Sequence, residues 1–214
     1  LRMMETQMQA LPSNDSKEKT LLEEWNLSIT PVNNEKELWQ IKRHMGHSAD
    51  CFSKAFRVKN SNRDNAFWNY YDKHNYHKED IHYWYHGSRN MNCLSILHNG
   101  LILNPKAPKV GHMFGYGIYL APKAKKSIGY TSLNGSFWVH GTSDKAYLFV
   151  MKTVYKSPYH VYTWTSGMKS LTKSRISPHD AVFAHAGTSL RNDEVVIFDD
   201  AQVTLQYIIE LKQQ

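Results

Sequence analysis

The sequence predicts an α+β fold built on antiparallel sheet. Candidate helices lie in the first half of the chain, whereas the second half is mainly strands and loops. A doubly wound parallel sheet needs a regular alternation of strands and helices, and this sequence has none. The clearest strand lies near the C-terminus, where apolar residues recur at every second position, the side-chain period of a strand. These residues are Val203, Leu205, Tyr207, Ile209 and Leu211.

Length and composition indicate one domain with an N-terminal extension. The chain has 214 residues, of which 41% are hydrophobic and 21% are charged, so it can bury a core. No apolar run approaches the ~18 residues of a membrane span, and the N-terminus lacks the apolar stretch of a secretory signal. We therefore expect an intracellular protein, nuclear or cytoplasmic, with no membrane partner. The chain begins with Leu rather than Met, as a piece of a longer protein would.

The cysteines and the net charge narrow the compartment and the partners. Cys51 and Cys93 lie far apart and form no CxxC motif, so we expect reduced, half-buried thiols. The formal net charge is +7, which attracts polyanions such as nucleic acid, acidic proteins or dinucleotides. Lysines and arginines form no long run, so nucleic-acid binding is a minor hypothesis at this point.

The first part of the chain is predicted to be helical. Residues 1–20 are polar and predict a flexible lead-in, whereas residues 21–214 predict the folded domain. A short helix is predicted between Lys17 and Trp25. Residues 35–56 place apolar side chains at helical spacing, with Gly46 as the weak point. This predicts one long amphipathic helix, or two short ones, covering a sheet.

The middle of the chain is rich in aromatic residues. Residues 66–86 are dense in Tyr, Trp and His, and their end, 81–86, predicts a strand. Asn90 is expected to cap a short helix that ends at Gly100, because glycine readily adopts the left-handed conformation. Residues 101–112 contain two prolines and no periodicity, which predicts a loop.

Short strands and loops make up the rest. Pro122 is expected to open a helix that runs to Tyr130. Residues 156–189 are mostly polar and predict loops around one short apolar run, 181–186. Strands are predicted at 118–121, 145–155 and 194–198.

Several glycines flank polar or aromatic residues in the middle of the chain; they are Gly87, Gly111, Gly115 and Gly117. A missing side chain lets a ligand approach the backbone closely. Ordinary turns and bulges are the other interpretation of these glycines.

Three polar side chains predict a slot for a flat heterocycle. In a helix over 122–130, Ser127 and Tyr130 share one face, and an inward-facing Tyr119 points to the same region. Two rings can stack on a planar ligand whose amide bonds the Ser127 hydroxyl and the Gly87 backbone. The alternative is that both tyrosines are core residues with satisfied hydroxyls.

Glu194 is the candidate carboxylate. It starts an apolar strand, where a charge is costly unless it is exposed, paired or used. In glycosyl transfer a carboxylate stabilises oxocarbenium-like charge by accepting a hydrogen bond from the sugar 2-hydroxyl. An ordinary charge at a strand end is the alternative. We expect no metal, because His82 and His86 have no paired cysteines and no HExxH motif is present.

Several motifs together resemble the catalytic domain of the poly(ADP-ribose) polymerase family, the diphtheria-toxin-like ADP-ribosyltransferases. They follow the family's order: HGSR (86–89), ILHNGL (96–101), GHMFGYGIYLA (111–121), KSIGY (126–130) and NDEVVIFDDAQVTLQYIIEL (192–211). The motif-bearing part is 86–211, and residues 56–75 are similar to the strand and helix that open the family's domain. The resemblance implies the ADP-ribosyltransferase fold, with two packed, mainly antiparallel sheets around an NAD cleft and flanking helices.

The resemblance implies that NAD+ is the donor substrate and assigns its nicotinamide half to five residues. Gly87 and Ser127 match the residues that bond the carboxamide. Tyr119 and Tyr130 match the rings on either side of the nicotinamide. Glu194 matches the catalytic glutamate, which bonds the 2′-hydroxyl of the nicotinamide ribose and helps to activate the acceptor.

The adenosine half is assigned by the same resemblance. His86 matches the histidine that bonds the adenine-side ribose, and together with Tyr119 and Glu194 it completes the catalytic set. Ser88 and Asn92 match contacts to the adenosine. The loop 101–112 corresponds to the family's donor loop.

The implied reaction is transfer of ADP-ribose from NAD+ to an acceptor with release of nicotinamide. A protein acceptor is expected, nucleic acid is the second acceptor or activator to consider, and the intact catalytic set permits polymer formation without proving it. Two alternatives remain: a non-catalytic module that binds NAD or ADP-ribose, and a basic nucleic-acid-binding domain that stacks bases on the aromatics of 66–86.

Overall fold

The computed structural model describes residues 19–103 and 112–213, which form two β-sheets flanked by helices. The strands are β1 (Leu27–Pro31), β2 (Phe52–Asn60), β3 (Ile81–Gly87), β4 (Ile118–Leu120), β5 (Lys145–Val154), β6 (Pro158–Val161), β7 (Ala181–Ala184), β8 (Glu194–Ile197) and β9 (Val203–Lys212). One sheet is antiparallel, in the order β1-β2-β9-β5-β3. The other has the order β4-β8-β7-β6, and its β6 and β7 run parallel. The predicted α+β class with mainly antiparallel sheets is confirmed.

The helices are short and lie around the sheets. They are α1 (Leu21–Glu24), α2 (Glu35–Met45), α3 (Ser61–Lys73), α4 (Cys93–Asn99), α5 (Ala124–Ile128) and α6 (Lys173–Ile176). Short 3-10 segments occupy Gly46–Cys51, Lys78–Asp80, Asn90–Asn92, Ser166–Ser170 and Asp200–Gln202. The strand and helix expected within residues 56–75 are present as the end of β2 and α3.

The central strand β5 is buried on both faces, which explains its nearly continuous apolar sequence. Met151 belongs to the core cluster that also contains Ile197 of β8, so this face packs the two sheets together. Leu148 points to the other face, where it belongs to a second core cluster together with Ile41 of α2. Burial from both sides favours an apolar run over strict alternation. The sheet is therefore covered on both faces at β5.

The helical prediction for residues 35–56 is wrong at its C-terminal end. α2 stops at Met45, because Gly46 follows with φ +59°, a conformation that ends the helix. Phe52 and Phe56 instead belong to β2 and pair with β9. A bulge between Phe52 and Lys54 shifts the register of β2, and Phe52 packs against the same cluster as Ala55, so the strand alternation is broken here. Periodicity alone therefore could not separate the two structures.

Two smaller helix predictions also need correction at their ends. Asn90 does not cap α4; it lies in a preceding 3-10 turn, and its side chain donates to the Lys145 carbonyl at 2.9 Å. The predicted terminator Gly100 is confirmed, with φ +71° and an N–H bond to the Ile96 carbonyl. α5 begins at Ala124 rather than Pro122 and ends before Tyr130.

Residues 156–189 contain more structure than the loops predicted from their sequence. The apolar run is confirmed as β7, but β6 and α6 were missed. β6 is an edge strand of four residues, of which two are exposed and one is buried. An exposed edge strand carries no apolar pattern, so nothing in its sequence marked it as a strand.

Some predictions concern the periphery of the domain. Within the described residues, no helix is long and apolar enough to cross a membrane. Cys51 and Cys93 are both free and half-buried, as predicted. The lead-in up to residue 18 and most of the predicted donor loop, residues 104–111, lie outside the described residues.

Candidate active site

The candidate site lies where β3 of the first sheet meets β4 of the second. Tyr85 and Ala121 exchange two backbone hydrogen bonds of 2.9 Å just beyond the end of β4. One residue later, His86 Nδ1 lies 2.9 Å from the Tyr119 carbonyl oxygen. Backbone and side-chain hydrogen bonds therefore join the two sheets next to the predicted site residues His86 and Tyr119.

His86 is held as a neutral imidazole in one tautomer. Because its partner at Nδ1 is a carbonyl oxygen, Nδ1 must donate, which leaves Nε2 as an acceptor. Burial lowers the pKa of His86, and the bond to the Tyr119 carbonyl opposes this only in part. The side chain can thus accept a hydrogen bond from a hydroxyl group.

Gly87 lies directly against the backbone of α5. A Cβ atom at this position would be 1.7 Å from the Ser127 carbonyl oxygen, far inside van der Waals contact. Ser127 itself is buried. The absence of a side chain at Gly87 is therefore required by the contact between β3 and α5, which brings both residues predicted to hold an amide to one place.

Tyr119 is fixed by its own hydroxyl group. The hydroxyl accepts from the Phe114 N–H at 3.0 Å and donates to the Gly115 carbonyl at 2.7 Å. Gly115 has φ +83°, and a Cβ there would be 2.1 Å from the Leu171 carbonyl oxygen, so the turn requires glycine. Burial raises the pKa of Tyr119, and the charge of Glu194 raises it further. The hydroxyl is satisfied, as in the core interpretation, and it remains under the electrostatic influence of Glu194.

Tyr130 reaches the same region from a turn rather than from a helix. α5 ends at Ile128, and the Tyr130 N–H bonds the Ser127 carbonyl at 3.0 Å. Its ring stacks on Trp138, with 5.8 Å between centroids and 20° between planes. Burial and the charge of Glu194 raise the pKa of Tyr130 to about 12. Trp138 is a supporting residue that the sequence did not reveal.

Glu194 is a buried carboxylate, not a surface charge. It is the first residue of β8, is 8% exposed and pairs with Ala184. Its Oε1 lies 3.0 Å from Lys126 Nζ. Burial raises the pKa of Glu194, whereas the charge and hydrogen bond of Lys126 lower it. Its charge also raises the pKa values of Tyr119 and Tyr130, so both phenols lie within the electrostatic influence of this carboxylate.

Lys126 is the residue of this cluster that sequence reasoning missed. It donates weakly to the Asn192 carbonyl at 3.5 Å besides contacting Glu194. Its neighbour Lys125 and the nearby Lys123 are exposed. The sequence offered one signal, the position of Lys126 directly before Ser127.

Ser88 and Asn92 lie beside β3, next to the cluster in sequence. Asn92 Nδ2 donates to Ser88 Oγ at 2.9 Å. The structure therefore places these two predicted residues together, adjoining His86. Across residues 19–103 and 112–213, no group of three or more His, Cys, Asp or Glu side chains is arranged to hold a metal ion.

Residues 34–213 match the family described as "Poly(ADP-ribose) polymerase catalytic domain". The chain belongs to this family. It is similar to a "Poly [ADP-ribose] polymerase" of Drosophila melanogaster, 31% identical over 147 residues, which cover 60% of this chain and 15% of that protein.

Two further polymerases illustrate the range of similarity. "Poly [ADP-ribose] polymerase 2" of Arabidopsis thaliana is 25% identical over 222 residues, 87% of this chain and 33% of that protein. "Poly [ADP-ribose] polymerase 2" of Homo sapiens is 47% identical over 57 residues, 25% of this chain and 10% of that protein. The chain thus spans no more than about a third of the length of these three relatives.

Proposed function

We propose that this chain is an ADP-ribosyltransferase that transfers ADP-ribose from NAD+ to an acceptor and releases nicotinamide. Membership of the poly(ADP-ribose) polymerase catalytic domain family supports the proposal. The observation that carries it is the buried Glu194 carboxylate, paired with Lys126 and electrostatically coupled to Tyr119 and Tyr130. A buried acid beside two aromatic rings suits a reaction in which positive charge develops on a sugar next to a planar leaving group.

The nicotinamide ring is held flat in this proposal. Tyr119 and Tyr130 supply the two ring faces, and Trp138 supports Tyr130 from behind. The carboxamide bonds the backbone of Gly87 and the hydroxyl of Ser127. Positioning of this kind lowers the barrier because the leaving group is already oriented when the bond begins to break.

The chemical step breaks the bond between ribose C1′ and the nicotinamide nitrogen. The bonding electron pair leaves with nicotinamide, which becomes neutral, and positive charge grows on the ribose. Glu194 stabilises this charge by accepting a hydrogen bond from the ribose 2′-hydroxyl. The acceptor then bonds C1′ and gives up its proton, for which Glu194 is the nearby base.

Lys126 and His86 prepare the site for this step. Burial raises the pKa of Glu194, and Lys126 opposes this by lowering it. Lys126 therefore favours the ionised carboxylate. His86 presents Nε2 as an acceptor to a hydroxyl of the adenine-side ribose, with Ser88 and Asn92 beyond it. A protein acceptor and growth of a polymer are both compatible with these roles.

The decisive experiment is Glu194→Gln, a substitution that keeps the shape and removes the charge. We expect NAD+ binding, measured by calorimetry, to change by no more than a few-fold. Nicotinamide release in a single turnover should fall by at least about 100-fold, because a charge-stabilising group has been lost. Asp193→Asn is the matched control, since Asp193 accepts from the Ala186 N–H and is not part of the cluster.

Two outcomes distinguish the proposal from its alternatives, and a further measurement identifies the product. Nicotinamide release that is unchanged in Glu194→Gln contradicts the role of the carboxylate. Tight binding of NAD+ without turnover in the unmodified chain identifies a binding module instead. Mass spectrometry of acceptor proteins after incubation with NAD+ shows whether one ADP-ribose unit or a chain is attached.

A further inference from the structure

Two large aromatic rings face solvent in the loop between α5 and β5. These rings belong to the consecutive residues Phe137 and Trp138, which are 59% and 49% exposed. The Arg191 guanidinium lies over the Phe137 ring, 5.8 Å from its centroid. Neighbouring exposed rings of this size are a common mark of a binding surface.

The loop that carries these rings is tied together at its base. The Ser143 N–H bonds the Ser132 carbonyl at 2.9 Å, and the Asn134 N–H bonds the Ser143 carbonyl at 2.8 Å. Gly135 and Gly141 are joined by a further bond of 3.1 Å. The rings are therefore presented by an ordered loop, which reduces the entropy lost when a partner binds.

The same loop is attached to the candidate active site. The Trp138 N–H bonds the Gly129 carbonyl at 2.9 Å, and the Trp138 ring stacks on Tyr130. Arg191 lies three residues before Glu194 in the chain. The exposed rings are thus continuous with one wall of the cleft.

A polar cavity of about 310 Å³ adjoins the rings. It is lined by Val139–Ser143, which follow Trp138 directly, and by Arg89, Asn90 and Ser132. None of these lining residues is acidic. The Asn90 Oδ1 is buried there without a hydrogen-bond partner. A guanidinium and an imidazole suit a phosphate.

From these observations we infer that the loop 132–143 is a docking surface for single-stranded nucleic acid. Bases stack on Phe137 and Trp138, and the backbone is held by Arg191 and by the cavity that contains Arg89 and His140. Aromatic rings interleaved with cations are what sequence-tolerant binding of single strands requires. The net charge of +7 favours the same partner. A duplex, whose bases are stacked inside, cannot use the rings in this way.

This location differs from the one considered in the alternative of a basic nucleic-acid-binding domain. That alternative used the aromatics of 66–86 as the stacking surface, but Phe67, Tyr76 and Tyr85 are buried in the core. Trp68 and Tyr83 are the rings of that segment with substantial exposure. The inferred docking surface lies instead in the loop 132–143.

The test is fluorescence anisotropy of a labelled single-stranded DNA of about 12 nucleotides, a length within the range that such domains cover. Binding is measured without NAD+, so its failure leaves the proposed transfer reaction untouched, and loss of transfer does not affect it. Trp138→Ala should weaken binding by at least about fivefold, the lower end of the effect of one stacked base. Phe137→Leu, which keeps apolar volume and removes the ring, should act in the same direction.

Trp39 provides a matched control. It is 58% exposed on α2 and has Arg43 stacked over its ring at 5.0 Å, as Phe137 has Arg191. Trp39→Ala should leave the affinity unchanged. Arg89→Gln should reduce the slope of log affinity against log salt by about 0.7, the value for one phosphate contact on a single strand.

Four results overturn the inference. They are no binding by the unmodified chain at low salt, an equal loss in Trp39→Ala, equal affinity for the duplex of the same sequence, and equally strong competition by a polyglutamate peptide. The last result identifies an acidic protein as the partner of this surface instead.

Discussion

Lys126 Nζ lies 3.0 Å from Glu194 Oε1, and both side chains are almost completely removed from solvent. The pair joins α5 to the first residue of β8, two elements that are about a third of the chain apart in sequence. Two opposing effects meet at this carboxyl group: burial raises its pKa and the lysine lowers it. The pKa of Glu194 therefore depends on one neighbouring side chain as well as on burial.

Lys126→Met should move the acidic limb of the rate profile to higher pH. A carboxyl group with a raised pKa keeps its proton at pH values where an ordinary glutamate has lost it, and the substitution removes the group that opposes this. The pH dependence of nicotinamide release measures the shift. Lys125→Met, at an exposed position on the same helix, should leave the profile in place. A profile that is identical in Lys126→Met contradicts the coupling.

Gly87→Ala should reduce both stability and NAD+ affinity. The new Cβ would lie 1.7 Å from the Ser127 carbonyl oxygen, so β3 and α5 must separate. Overpacking of this kind costs about 1–3 kcal/mol. Urea denaturation and calorimetry measure the two effects. Gly167→Ala is the control, because nothing lies within 4 Å of its Cβ position and stability should change little. Equal stability of the two variants would falsify the close approach at Gly87.

Tyr119→Phe should destabilise the domain by about 1–3 kcal/mol, because the Phe114 N–H loses its acceptor. The Gly115 carbonyl also loses a donor. The aromatic face is kept, so a loss of activity reflects displacement of the turn rather than loss of stacking. Thermal unfolding and the KM for NAD+ are the measurements. Tyr130→Phe, which keeps the stack on Trp138, should unfold closer to the unmodified chain.

Asn60→Asp should destabilise the fold by about 1–3 kcal/mol although its shape is unchanged. Asn60 Nδ2 donates to the Leu97 and His98 carbonyls at 2.9 Å, and a carboxylate would face both oxygens without a proton. Chemical denaturation measures the loss. Asn34→Asp is the control, because this exposed N-cap of α2 needs only an acceptor for the Glu37 N–H. A loss of similar size in both variants contradicts the explanation.

The sequence predicted correctly those elements whose surroundings restrict the residue types strongly. β5 is apolar because both of its faces are buried. α4 ends at Asn99 because Gly100, the residue after it, adopts a positive φ. The helical period misled at Phe52 and Phe56, because a bulge in β2 interrupts the alternation that would have marked a strand. The edge strand β6 carried no apolar pattern because only one of its four residues, Val161, is buried.

The sequence by itself determined the α+β class, and its motifs indicated the family and the candidate residues His86, Tyr119 and Glu194. The tertiary structure decided which groups meet: Lys126 with Glu194, Trp138 with Tyr130, and Gly87 with the backbone of Ser127. The physical reason is range. Helix ends, turns and strand alternation depend on neighbours within a few residues, whereas burial of a charge and the pKa that results depend on chain segments that only folding brings together.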